Sequence, residues 1–270
     1  MTTTPKPDHH DAIQLFARVG YSARAVVYLL VGGFAILAIA GPGGRTTGSR
    51  GALESLLAAP LGSWLLGATA LGLVGYAVWR SVQALGDADH HGTGFQGLVI
   101  RAGLGVSAIT HLALAFFAAS LIFTFGGSGQ SGSSGGSEGV AGWLMSQPYG
   151  QWLVGLVGLA VIGAGVAQLF KAGSARFARQ LDMSPPTQTW AYPIVRFGLA
   201  ARGLVFVLSG IFFVSAAYLV NPEQAGGIAE VFDTLRNQAY GTWLLAIVAA
   251  GLLAFGIYSV LEAIYRRVDP

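Results

Sequence analysis

Residues four apart along three apolar segments carry the same order of side-chain types. Gly20, Arg24, Tyr28 and Gly32 form the first set. Gly103, Ser107, His111 and Ala115 form the second, and Gly198, Arg202, Phe206 and Gly210 the third. On a helix that spacing puts each set on nearly one face. Two chemistries suit such a stripe of small, polar, aromatic and small residues. Small residues let helices approach closely in an apolar medium, and a plain packing face would leave Arg24 and Arg202 snorkelling to lipid headgroups. Alternatively the three stripes surround one axis. Arg24, Tyr28, Ser107, His111, Arg202 and Phe206 then line a cavity with a basic mouth, suited to anionic headgroups or small anions.

His111 is the ionisable residue deepest in an apolar run, ten residues or about 15 Å of helix beyond Arg101. An ionisable group at that depth is a functional candidate. Yet no second buried histidine completes a haem site, and Glu262 falls near the end of its segment, so no acidic proton chain is expected. A neutral His111 hydrogen-bonded to a neighbouring helix is the plainer reading. His9 and His10 in "DHHD", and His90 and His91 in "DADHH", are weak metal candidates: the ligand types suit Zn²⁺ or Ni²⁺, but adjacent histidines in polar stretches are usually just solvated. Cysteine is absent, which excludes disulfides, thiolate metal sites and thiol nucleophiles. P-loop, nucleophile-elbow and His-Glu-x-x-His patterns are missing, so neither an enzyme nor a cofactor is expected.

The elements that must position these residues follow from composition. The chain has 270 residues, 53% hydrophobic and 10% charged, against about 25% charged in soluble domains. Its mean hydropathy is +0.61. Apolar runs cover Tyr21–Ala40, Trp64–Leu85, Gly103–Phe125, Trp152–Phe170, Leu199–Val220 and Trp243–Tyr265. Each is near the ~20 residues a helix needs to cross a bilayer. Helices satisfy their own backbone in lipid, and no barrel alternation is present. An all-α membrane protein with six transmembrane helices is predicted. The formal charge of +3 is spread over helix ends, which argues against nucleic acid and leaves the lipid bilayer, with anionic lipid included, as the expected partner.

The six segments are three copies of a pair. Trp64, Trp152 and Trp243 align at the start of the even segments, and Arg18, Arg101 and Arg196 open the odd ones with Arg-x-Gly. Residues 16–86, 99–172 and 194–270 form repeats 1 to 3, with a tail at 1–15 and linkers at 87–98 and 173–193. Two spans per copy make the repeats parallel, and a pseudo-threefold arrangement is the simplest closed assembly. Twelve Lys and Arg fall on the side of the termini and linkers, and only Arg45, Arg50 and Arg236 in the hairpin loops. That bias places both termini in the cytoplasm. The loops contain short amphipathic stretches, "ALESLLAA", "VAGWLMSQ" and "IAEVFDTLRNQ", expected to lie along the outer surface. Pro60 and Pro148 end two of them, Gly62, Gly150 and Gly241 are expected to permit the turn back, and the tryptophans two residues on are expected to anchor at headgroup level.

The Arg-x-Gly-x-x-Ala-Arg opening at Arg18–Arg24, repeated at Arg196–Arg202, resembles the bacterial domain-of-unknown-function family 1206. Tyr28 and the Gly-x-Trp entry resemble it too, and the likeness covers essentially the whole chain. The middle copy departs from the pattern at Ser107 and His111. The resemblance implies tandem helix pairs in a bacterial inner membrane and supplies no mechanism. Lipid, small-solute or ion handling along the repeat interface is the favoured function class. The alternative is a structural or partner-binding membrane protein with a packed, non-conducting core.

Overall fold

The computed structural model describes residues 9–40, 48–58, 60–89, 92–124, 137–174 and 176–266. Six of its helices are long and apolar enough to cross a membrane: α1 (His9–Ala40), α3 (Gly62–Gly86), α4 (Phe95–Thr124), α6 (Gly150–Ser174), α7 (Pro185–Leu219) and α9 (Gly241–Tyr265). Three short helices, α2 (Ser49–Leu57), α5 (Ser137–Met145) and α8 (Ile228–Arg236), coincide with the amphipathic stretches of the hairpin loops. The protein is thus an all-α, three-repeat, six-span bundle. Its two ends are the linker face, with the inter-repeat linkers, and the hairpin face.

Neighbours follow the repeat order. The second span of each copy packs on the first span of the next: α3 on α4, α6 on α7, α9 on α1. Within a copy, α1 packs on α3 and α7 on α9. The middle copy breaks the pseudo-threefold pattern at one seam, because α4 and α6 share no comparable interface. The six spans form a ring with one side open, α4 and α6 at its lips. Those two spans are accordingly 22% and 17% buried, against 44–61% for the other four.

The sequence accounts for the difference. A Cβ on Gly20 of α1 would stand 2.5 Å from the backbone of Tyr76, and one on Gly198 of α7 would stand 2.4 Å from that of Phe255. One turn along, Gly72 receives Ala23 and Gly251 receives Ala201, with 2.4 and 2.1 Å to a hypothetical Cβ. Lipid tails offer no hydrophobic drive between helices, so such close backbone approach is what holds a hairpin together. In the middle copy the corresponding residues are Val106 and Ala160, and Gly103 faces open space. The aromatic pairs Tyr76 with Trp79 and Phe255 with Tyr258, buried in copies 1 and 3, become the exposed Ala164 and Ala167. The notch is gone, and so is the bulk that would fill the seam.

Junctions between copies use the Arg-x-Gly arginines. Arg101 donates to the carbonyls of Ala84 (2.7 Å) and Leu85 (2.9 Å), and Arg196 to those of Ala172 (3.0 Å) and Gly173 (3.3 Å). Each guanidinium caps the end of the preceding helix, where orphan carbonyls and the helix dipole favour a cation. The turns back from the hairpin face differ from expectation in one respect. The left-handed residues are Leu61 (φ 58°) and Tyr149 (φ 62°), one position before the glycines. Gly62, Gly150 and Gly241 serve close approach instead, since a Cβ on any of them would lie 1.9–2.1 Å from a carbonyl oxygen of the preceding short helix.

Gly20→Val and Gly198→Val should each cost about 1–3 kcal/mol by forcing the hairpins apart. Gly103→Val, the same change at the third equivalent site, should stay within about 0.5 kcal/mol of wild type. Thermal melting of the three detergent-solubilised variants checks this, and equal losses in all three would contradict the open seam.

Candidate functional site

The second position of each stripe falls where a first span meets the preceding second span. Arg24, ten residues into its span, is 3% exposed. Its Nη2 is paired with the Glu262 carboxylate of α9, its Nε donates to Ser259 Oγ (3.1 Å), and its Nη1 donates to the Tyr76 hydroxyl. Glu262 also accepts from Arg266 Nη1 (2.8 Å) and the Tyr258 hydroxyl (2.9 Å). This overturns the snorkelling expectation for Arg24. The guanidinium turns inward because a buried carboxylate, a phenol and a hydroxyl together satisfy its donors. Glu262 lies near the end of α9, where the sequence places it, but its carboxylate is 3% exposed and forms the centre of the network.

The network extends to the linker face. Arg80 donates from Nε to the Tyr76 hydroxyl (2.8 Å) and from Nη1 to Gln83 Oε1 (3.1 Å), and Gln83 Nε2 donates to Asp89 (2.5 Å). Arg266, just past the last span, bridges Asp89 (3.3 Å) and Glu262. Its burial alone would lower its pKa, but Tyr21, Glu262 and Asp89 around it hold it above the ordinary arginine value. Asp182 N donates to the carbonyl of Tyr265 (2.8 Å), so both inter-repeat linkers fasten the end of α9.

Arg202, the counterpart of Arg24, has different company. Its Nε donates to the Tyr28 hydroxyl (2.7 Å) and its Nη1 to Gln168 Oε1 (2.6 Å). Its guanidinium carbon lies 4.1 Å from the centre of the Phe206 ring and 4.7 Å from that of Phe255. Among the described residues no carboxylate comes within ion-pair distance of it. The repeat register explains why. Counting from the aligned tryptophans, Gln168 corresponds to Ser259, and Lys171 corresponds to Glu262. At the equivalent positions the α9–α1 seam has a carboxylate bonded to its arginine, the α3–α4 seam has Gln83 and Ser107, and the α6–α7 seam has Lys171 and Arg202. Lys171 donates to Gln180 Oε1 (2.9 Å) and the Tyr258 hydroxyl (3.3 Å).

A cavity of about 150 Å³ opens above Arg24 and Arg202. Arg24, Tyr28, His111, Arg202 and Phe206 line it, with Ser49 of α2 and Ile228 of α8 at its hairpin end. Five of the six stripe residues named from sequence thus meet around one space. Ser107 is not among its lining residues; its carbonyl instead accepts from His111 Nδ1 at 2.7 Å. His111 is therefore bonded to its own helix, with no hydrogen bond to a neighbouring helix among the described residues, and its ring stands edge-on to Tyr76 with centroids 4.5 Å apart. A carbonyl only accepts, so Nδ1 carries the proton. Trp64, Trp152 and Trp243 are not among its lining residues and are 73–80% exposed near the starts of α3, α6 and α9 at the hairpin end. The side chains of His9 and His10, and all of His90 and His91, lie outside the described residues. The decisive residues that sequence reasoning missed are Glu262, Lys171 and Gln168, although the tryptophan register that aligned the repeats would have paired them.

Comparison with known proteins agrees with the repeats. The model of the family described as Domain of Unknown Function (DUF1206) matches three times, at residues 19–87, 102–175 and 197–266. The chain is 32% identical over 259 residues to a Bacillus subtilis (strain 168) relative described as "Uncharacterized protein YxxB", covering 95% of this chain and 92% of that one. No solved structure matches.

Glu262→Leu should destabilise the protein by about 3–5 kcal/mol, because Arg24 is left as an unpaired buried charge. Adding Arg24→Leu should restore most of that loss. Melting temperatures of the single and double variants test the coupling, and an additive second loss would mean the pair is not the network's centre.

Proposed function

The chain belongs to the DUF1206 family, and on that footing we propose that it handles an anionic ligand, lipid or small solute, along the central interface of its repeats. The observation that carries this reading is Arg202. It lines an intramembrane cavity, and its seam supplies Lys171 where the equivalent seam supplies Glu262. A cation held inside a bilayer is costly unless paired. Tyr28, Gln168 and the aromatic faces orient this one and leave its charge for a ligand. An anionic group entering from Ser49 and Ile228 at the hairpin end would meet Tyr28 and His111 before the two arginines. The closed linker face, tied by Arg266, Asp89 and Glu262, fits a binding or occluded state better than an open pore.

The membrane in this reading is the bacterial inner membrane, with the linker face cytoplasmic. The support is the excess of Lys and Arg on that face. The cysteine-free sequence makes orientation easy to measure. An impermeant maleimide applied to intact cells should label Asn237→Cys at the hairpin face and leave Ser184→Cys at the linker face unmodified.

Native mass spectrometry of protein released from native-membrane nanodiscs should find a bound anionic species. Arg202→Gln should weaken its retention roughly tenfold or more, the loss expected for a charge-assisted hydrogen bond. Identical retention by the variant would return the reading to a packed, non-conducting core.

A further inference from the structure

The open seam of the middle repeat has a place in this chemistry. We infer that the gap between α4 and α6 is a lateral portal, and that the ligand is an acidic membrane lipid whose headgroup sits at Arg202 while its acyl chain lies in the portal. The inference rests on the anion-handling reading above and names its substrate class.

Four observations converge on it. First, the gap is built into the sequence, because Val106 and Ala160 replace the alanine–glycine notch and Ala164 and Ala167 replace two buried aromatics. Second, the gap reaches the cavity. Thr110 lines the cavity and is exposed on α4, on the same face as the exposed Gly103 and Val106. On the other lip, Gln168 of α6 holds Arg202, one helical turn beyond Ala164. Third, the two regions have the two characters of an amphiphile: the portal lips are small and apolar, and the inner end presents Arg202, which among the described residues has no carboxylate within ion-pair distance. Fourth, a cavity of about 150 Å³ holds a headgroup but not its chains, so a lipid bound there must leave its tails outside. The portal is the exit that keeps them in hydrocarbon. A small water-soluble anion would need no such opening, and a partner helix filling the gap would leave Arg202 without its counter-charge.

The test uses the full chain in nanodiscs with phosphatidylglycerol carrying a diazirine midway along one acyl chain, and phosphatidylcholine with the same chain. After illumination, the anionic probe should label residues 103–110 of α4 and 163–168 of α6, and Arg202→Gln should cut that labelling at least tenfold. The zwitterionic probe should label the lipid-facing belt without preference. Ala164→Phe/Ala167→Tyr, which restores the aromatics of the sister repeats, should exclude the anionic probe from α4 and α6 while Arg202 remains in place. Arg202-dependent binding with labels confined to α2 and α8 would overturn the portal and leave the anion reading standing. So would Arg202-dependent binding of inorganic phosphate that the phosphatidylglycerol probe does not displace. Protein–protein cross-links across α4 and α6 would overturn the portal in favour of a second chain. Labelling of either kind that ignores Arg202 would remove the anion reading itself, and the portal with it.

Discussion

Helices inside a bilayer gain nothing from burying leucine against leucine, since the lipid is equally apolar. What holds two spans together is the dispersion energy of close contact, and the backbone must come near for that to accumulate. The bundle depends on this constraint more than on any single bond. Gly20 and Gly72 in the first repeat, and Gly198 and Gly251 in the third, let the backbones meet. Gly158 and Gly165 do the same against Gly210 and Gly203 at the α6–α7 seam, where hypothetical Cβ atoms would lie 2.7–2.9 Å from facing carbonyls. Where the small residues fail to match, as at Val106 and Ala160, the helices separate. The opening is the absence of a contact that the other two copies possess.

Close approach then decides which polar groups the interior must satisfy. Arg24 lies too deep for a relaxed reach to water, and Glu262 meets it from the adjoining span. Such a pair contributes little net stability compared with apolar packing, but breaking it is expensive. Its effect is therefore one of specification: it fixes the register of α9 against α1, and through Arg266 and Asp89 it fastens the first linker beneath. The network around Tyr76, which accepts from two arginines, gathers four basic side chains (Arg24, Arg80, Arg266 and, through Tyr258, Lys171) against the carboxylates of Glu262 and Asp89, while Arg202 stands apart on Tyr28 and Gln168. Lys171 and Arg202 stand on α6 and α7, next to the open seam.

Much of this was legible in the sequence, and the reasons differ by element. Six spans, three copies and the short hairpin-face helices follow from hydropathy, the Arg-x-Gly and Gly-x-Trp signatures, and amphipathic runs between them. The stripe residues were found because periodicity of four is local to one helix. Glu262 does lie at the helix end its position along α9 suggests, but its burial depends on which helix lies opposite. Pairings across seams are non-local, and hydropathy carries no trace of them. The arginines of the Arg-x-Gly openings looked like topology signals, and they also cap the preceding helix through Ala84 and Ala172. The left-handed turns at Leu61 and Tyr149 were hidden by the more conspicuous glycines beside them.

The three copies share a scaffold, and what they do follows from where they differ. A perfectly symmetric trimer of hairpins would place the same pair at every seam and would close on all sides. At the equivalent positions one seam has Glu262 with Arg24, one has Gln83 and Ser107, and one has Lys171 and Arg202. The ring opens at the repeat whose second span bears Lys171 and Gln168, so the cationic seam and the gap share helix α6. Either departure alone would be a defect. A gap without charge admits hydrocarbon to no purpose, and an unpaired cation without a gap is an uncompensated cost in the core. Together they would give the proposed site one polar end and one end open to lipid, which is the pairing that an acidic amphiphile requires. The divergence of the middle copy from its sisters, at Val106, Ala160, Ala164, Ala167 and Lys171, thus reads as one coordinated change.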